Sequence, residues 1–125
     1  FRNTDKRFTV LYSLDGYDEV SLTDDFKLID NENEMILNSS FFGYQNLNPS
    51  QIIGGSNIEN SAKIFMDILN NSSTAAQKNV IISNSALAIK TISSLTIDEC
   101  LTIARESIES KKALESFNKL LTLSK

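Results

Sequence analysis

Three times from Ser56 onward the chain spells the same helix start. Ser56-Asn57-Ile58-Glu59, Thr74-Ala75-Ala76-Gln77 and Thr96-Ile97-Asp98-Glu99 each place a hydroxyl three residues ahead of a Glu or Gln. In such a capping box the hydroxyl accepts from one orphan N–H of the first turn, and the longer side chain reaches back to another. Apolar periodicity follows each start. Ile58, Ala62, Phe65, Met66 and Leu69 form one stripe, widened by Ile64 and Ile68, which predicts a well-buried first helix. The second runs from Thr74 to Ile92 through Ser83-Asn84-Ser85-Ala86, small enough for another backbone to approach closely. The third, Thr96 to Leu123, is expected to bend near Ser110 and to carry the i,i+4 pair Glu115 and Lys119 on its exposed face. Helices are thus expected over about 57–70, 75–92 and 97–123.

The first half reads as strands, expected within about 7–38. Arg7 to Ser13 (RFTVLYS) is apolar on both parities, the pattern of a strand covered on both faces. It runs into the acidic turn Leu14-Asp15-Gly16-Tyr17-Asp18-Glu19, after which Val20 to Thr23 reads as a strand extension. Phe26 to Ile29 and Met35 to Leu37 flank the polar tip Asp30-Asn31-Glu32-Asn33-Glu34, a hairpin signature. Ser39 to Gly55 holds Pro49, Gly43, Gly54 and Gly55 and reads as loop or short helical turn. The fold class is α/β: N-terminal strands and a β-hairpin, then three to four helices, in a single domain over 1–125.

Composition narrows the chemistry. The 125 residues are 41% hydrophobic and 22% charged, with a net charge of −4 and no Lys/Arg block. That balance argues against nucleic-acid or anionic-membrane partners. There is no histidine, which removes Ser-His-Asp and Cys-His catalysis and His-ligated zinc within these residues. The single cysteine, Cys100, leaves no internal disulfide and fits a reducing cytoplasm. No apolar run approaches the roughly 18–20 residues of a membrane span, and no signal peptide is visible. The chain opens on Phe1 rather than Met, so it is expected to be a piece of something longer.

A few residues carry candidate chemistry. Asp18 and Glu19 lie just past a strand end, where α/β folds place their ligands. Mg²⁺ takes one or two carboxylates plus substrate phosphates, so the pair suits that ion if a turn after Gly16 lets both reach it. The alternative is a solvated surface loop. Gly54-Gly55-Ser56 reads as an anion cradle or simply as a turn. Asn84, unfavourable inside a helix, reads as a buried amide bonding a neighbouring loop's backbone or as a ligand contact. Cys100 shares an apolar face with Ile97, Leu101, Ala104 and Ile108 and reads as packing. Tyr12 and Tyr17 bracket the acidic turn, either to stack on a flat substrate or to pack at the rim.

Four stretches, in order, resemble the anthranilate phosphoribosyltransferases. Asp15-Gly16-Tyr17-Asp18-Glu19-Val20-Ser21-Leu22-Thr23 resembles that family's G-[LY]-D-E-[LIV]-S-x-T motif, and Gly54-Gly55 with Glu59-Asn60-Ser61-Ala62 its G-G-x-x-x-E-N-A segment. Val80-Ile81-Ile82-Ser83-Asn84-Ser85-Ala86 is similar to its V-L-L-N-A-A helix. The stretch from Ala104 to Leu114 (ARESIESKKAL) is similar to its closing A-R-E-x-I-x-S-G-K-A-L, with Lys111 at the glycine. Tyr12-Ser13 stands where the family usually has His-Gly or His-Ser.

The resemblance implies the C-terminal part of the α/β domain of an Mg²⁺-dependent enzyme of tryptophan biosynthesis. Such an enzyme transfers phosphoribosyl from phosphoribosyl pyrophosphate to the anthranilate amine and releases pyrophosphate. It implies Mg²⁺ as cofactor, held by Asp18 and Glu19, and a homodimeric parent of which this piece is monomeric. The family's glycine-rich phosphate loop, its K-H-G-N segment and its anthranilate-binding arginine are expected upstream of Phe1, so this piece alone is expected to be inactive. Two other readings remain open: a related pyrimidine nucleoside phosphorylase, and a non-catalytic paralogue acting as a binding module.

Overall fold

Asx chemistry and alternating side chains build a three-stranded antiparallel sheet at the start of the chain. The computed structural model describes Phe1 and residues 3–124. Strand β1 (Thr9–Ser13) pairs with β2 (Phe26–Asp30), which pairs with β3 (Glu34–Leu37), in the order β1-β2-β3. The β2–β3 hairpin closes where the Asp30 carboxylate accepts from the Glu32 and Asn33 backbone N–H groups at 2.9 and 2.7 Å. Asn31 beside it accepts from the Phe8 N–H at 3.1 Å and donates to the Lys6 carbonyl at 2.9 Å, tying the tip to the approach to β1.

The register puts Leu11, Ser13, Phe26, Leu28, Met35 and Leu37 on one face and Val10, Tyr12, Lys27, Ile29 and Ile36 on the other. Only the first face is covered by the rest of the chain. Val10, Tyr12 and Ile36 remain exposed, so β1 is half-covered rather than covered on both faces as its apolar run suggests. Both of its parities are apolar, but nothing among the described residues packs over the second.

Two 3-10 turns, Ser39–Phe42 and Pro49–Gln51, lead into four helices: α1 (Ile58–Leu69), α2 (Ala75–Ile92), α3 (Ile97–Glu109) and α4 (Lys112–Leu123). Helices α2 and α3 cover the inner sheet face. The core joins Val20, Leu22, Phe26, Leu28 and Phe42 to Ile82, Ala86 and Leu87 of α2 and Cys100, Leu101 and Ala104 of α3. Phe26 and Phe42 stack with ring centroids 5.5 Å apart. Cys100 is wholly buried, as expected of a packing residue. Arg105 donates to the Tyr44 hydroxyl at 2.8 Å and holds the loop after the first 3-10 turn onto α3. Among the described residues no helix is long and apolar enough to cross a membrane.

Two of the three capping boxes form as written: Thr74 with Gln77 and Thr96 with Glu99. At α1 the cap is instead Asn57, whose side chain accepts from the Asn60 N–H at 2.8 Å, while Ser56 accepts from the Asn60 side-chain amide. Asparagine caps at least as well as serine, so the helix starts one residue later. Nor is α1 well buried. Ile58 and Phe65 are exposed, and only Ile68 and Leu69 are buried. The stripe is shared between a shallow hollow against Val80 and Ile81 of α2 and an edge contact of Phe65 with Phe117 of α4, centroids 4.9 Å apart. The i,i+4 ion pair that forms is Lys63 with Asp67 on α1, rather than Glu115 with Lys119.

The expected bend near Ser110 is a full break. Lys111 adopts a left-handed backbone (φ 62°) between α3 and α4, at the position where the resemblance calls for glycine. A side chain there costs about 1 kcal/mol relative to glycine. Lys111→Gly should therefore raise the unfolding free energy by about 1 kcal/mol, read as an increased urea midpoint at unchanged m-value.

The α3 cap makes a second expectation. Glu99 lies below its ordinary carboxyl value, first because the Thr96 backbone N–H and then because the Thr96 hydroxyl donate to it; slight desolvation opposes this and Lys90 adds a favourable charge. A depressed folded value stabilises the helix above the carboxyl's ordinary 4.5, and that contribution is lost as pH falls through the folded value. Glu99→Gln should keep the cap but flatten the acid limb of the stability profile, measured by thermal melts across that range.

Candidate functional site

The site grows from the end of β1. Ser13 is buried there, its N–H donating to the Tyr17 carbonyl at 2.9 Å and its carbonyl accepting from the Gly16 N–H at 3.1 Å. Gly16 makes the turn at φ +99°, a conformation that side chains rarely adopt. The Leu14 N–H donates to the Asp25 carbonyl at 2.8 Å and closes the neck of the loop before β2. Residues 14–25 thus form a closed excursion between two paired strands.

Val20 to Thr23 is not a strand. Val20, Ser21 and Leu22 are buried, but their backbone bonds to side chains and loops instead of a neighbouring strand. Leu22 sits at φ 62°, a left-handed conformation of about 1–2 kcal/mol cost for leucine. Its carbonyl accepts from the Ser39 hydroxyl at 3.1 Å and the Leu47 N–H at 2.8 Å, and its side chain is wholly buried, which together hold it there.

Three acidic residues of this loop, Asp15, Asp18 and Glu19, divide by what they touch. Asp15 is occupied: its carboxylate accepts from the hydroxyls of Ser21 and Thr23. Asp18 and Glu19 are exposed, and among the described residues neither carboxylate has a hydrogen-bond or ion-pair partner. They lie in a turn, so the strand alternation that would send them to opposite faces does not apply. Tyr12 and Tyr17 bracket the turn in sequence, each 43% exposed.

Among the described residues no group of three or more His, Cys, Asp or Glu side chains forms a metal cage. Two adjacent free carboxylates nevertheless suit Mg²⁺, a hard cation that keeps several waters and is usually completed by substrate phosphates.

Asn84 is half-buried and its amide clasps a loop. Its side-chain oxygen accepts from the Val20 N–H at 2.9 Å, and its nitrogen donates to the Val20 and Val80 carbonyls, each at 2.9 Å. The small stretch around it receives that loop, as its composition suggests. Next to it Ser83 is fully buried with a hydroxyl that has no partner among the described residues.

The glycine pair works by close approach rather than by a positive φ. A Cβ on Gly55 would lie 2.3 Å from the Ser61 backbone nitrogen, whereas Gly54 has open space around it. Gly55 thus lets the chain press against the first turn of α1.

The contribution of Ser13 was not legible as a site residue. Its hydroxyl donates to the Glu19 carbonyl at 2.7 Å and accepts from the Ser21 N–H at 3.0 Å. The only signal was a small hydroxyl ending an otherwise apolar strand just before a glycine turn.

These arrangements match known proteins over almost the full chain. An anthranilate phosphoribosyltransferase of Christiangramia forsetii is 46% identical over 124 residues, 99% of this chain and 38% of the relative. The chain is homologous to one stretch of the anthranilate phosphoribosyltransferases. The Bacteroides thetaiotaomicron enzyme of that name is 41% identical over 98% of the chain and 37% of its own length. The chain therefore spans a little over a third of the curated relatives it matches. No family model matches it.

Among solved structures, the Thermus thermophilus anthranilate phosphoribosyltransferase superposes with a TM-score of 0.80 at 16% identity, over 90% of this chain and 34% of that one. The Saccharomyces cerevisiae enzyme, solved in complex with PRPP and Mg, gives 0.76 at 21% identity over 90% and 32%. Both show that the strand-hairpin-helix order is the fold of a segment of anthranilate phosphoribosyltransferases.

The close approach at Gly55 is open to a direct check. Gly55→Ala should cost about 1–3 kcal/mol of stability as the backbone of α1 is pushed away. Gly54→Ala in open space should stay within about 0.5 kcal/mol of the parent, both read from urea unfolding.

Proposed function

We propose that this chain forms the metal-holding part of an anthranilate phosphoribosyltransferase, an enzyme of tryptophan biosynthesis. The complete enzyme would transfer phosphoribosyl from phosphoribosyl pyrophosphate to the anthranilate amine and release pyrophosphate. The observation that carries this reading is the division of labour in the loop of residues 14–25. Asp15 and the buried hydroxyls are used up inside the loop, while Asp18 and Glu19 face solvent unpartnered among the described residues. Identity of 46% to the Christiangramia forsetii enzyme supports it. So does the yeast neighbour's complex with PRPP and Mg.

In this reading Asp18 and Glu19 are the residues that hold Mg²⁺. When bound, the ion would neutralise charge on the diphosphate as the glycosidic C–O bond breaks. The chain's own part is to present two carboxylates on a turn fixed from behind, so that no loop ordering is needed as substrate arrives. The complete enzyme would work as a homodimer. This chain alone would remain monomeric and would not turn over, because it lacks the phosphate loop and the K-H-G-N segment that its resemblance calls for.

In the full-length enzyme, Asp18→Asn with Glu19→Gln should lower kcat/KM about a hundredfold or more, with part of the loss recovered at raised Mg²⁺. Initial rates measured across a Mg²⁺ series check this. Kinetics and Mg²⁺ dependence equal to the parent would remove the metal role.

A further inference from the structure

The two peptide groups that follow Asp18 and Glu19 are gripped from opposite sides. From the sheet, the Ser13 hydroxyl donates to the Glu19 carbonyl at 2.7 Å and accepts from the Ser21 N–H at 3.0 Å, so one side chain bridges the backbone on either side of Val20. From the helical layer, Asn84 of α2 accepts from the Val20 N–H and donates to the Val20 carbonyl, both at 2.9 Å. Both holders are themselves fixed. Ser13 is 2% exposed and sits in the β1–β2 ladder opposite Phe26. Asn84 spends its remaining N–H on the Val80 carbonyl one turn back in α2. The Val20 side chain is wholly buried between them.

We propose that Ser13 and Asn84 are the positioning residues of the carboxylate pair, a two-sided clamp that sets where Asp18 and Glu19 present their oxygens to the cation. The inference rests on the reading of Asp18 and Glu19 as metal-holding residues. Neither clamp residue touches the metal; each acts through the backbone at Glu19, Val20 and Ser21. Burial of this segment demands partners for its backbone polar groups, and all four that are met by side chains come from these two residues. Their common result is to fix the two peptide planes on either side of Val20, the first of which follows directly on Glu19 and so anchors the end of the turn that presents the two carboxylates. Outer partners of this kind change metal affinity by about 10–100-fold when removed.

The test uses the full-length enzyme with Ser13→Ala, Ser13→Thr, Asn84→Leu, and the Asp18→Asn/Glu19→Gln double variant. Two readouts are taken besides rate: amide hydrogen exchange of the peptide covering residues 14–25, and the Mg²⁺ concentration that half-saturates phosphoribosyl pyrophosphate binding by calorimetry. The expected result is faster exchange in Ser13→Ala and Asn84→Leu, with the Mg²⁺ requirement raised about tenfold. Ser13→Thr, which keeps the hydroxyl, should restore the requirement to within about twofold of the parent. The double variant should raise the Mg²⁺ requirement while exchange in the loop stays at the parent's rate.

If Ser13→Ala loosens the loop but leaves the Mg²⁺ requirement unchanged, while the double variant raises it, the clamp is structural only and the proposal is overturned. If the double variant itself leaves the requirement unchanged, the metal reading fails first and the clamp falls with it. Should Asn84→Leu not fold, Ser13→Ala decides alone, since it removes one hydroxyl and no packing volume beyond it.

Discussion

The amide of Asn84 is the interaction on which the rest of this fold is hung. It joins the helical layer to the loop between β1 and β2 by two hydrogen bonds to Val20, each 2.9 Å long, and a third at 2.9 Å ties it to the Val80 carbonyl of its own helix. In a low-dielectric interior each such bond is worth more than in water, and each would be expensive to leave unmade. Hydrophobic burial brings α2 against the sheet but does not select one sliding position over another. Asn84 does select, because only one register offers it both polar atoms of Val20. Leu22 in its left-handed conformation and the Ser39 and Leu47 bonds to its carbonyl extend the same lock into the next segment.

What could be read from the residues follows from how local the cause was. The hairpin at Asp30–Glu34 and the capping boxes at Thr74 and Thr96 are settled within a few residues, and the structure has them where the chain spells them. Asn84 was legible as a clasp because an asparagine inside a helix needs a polar reason. The pair proposed to hold Mg²⁺ was visible as adjacent carboxylates after a turn glycine, though the proposal came from the resemblance rather than from spacing.

The departures have tertiary causes. Val20 to Thr23 has the composition of a strand, but the partners of its backbone are Ser13 and Asn84, one at the end of β1 and the other far along in α2. The stripe of α1 promises burial, but the chain supplies only a partial cover in α2 and one ring of α4. Ser13 escaped notice because a single serine ending a strand carries no pattern at all. Its importance is a matter of which two peptide groups its hydroxyl happens to lie between.

The order of the sheet has a consequence for handling this chain in solution. Among the described residues only β2 is paired along both sides; β1 and β3 are both edges. The sequence of β1, Thr-Val-Leu-Tyr-Ser, contains no charge and no proline to discourage another strand from adding to it, and its outward side chains Val10 and Tyr12 are apolar. β3 at least begins on Glu34, which pairs with Lys27 across the outer face. The β1 side is therefore an open template for strand addition. If the chain, proposed to be monomeric, were crowded, this edge is where a second copy would first pair, through its backbone.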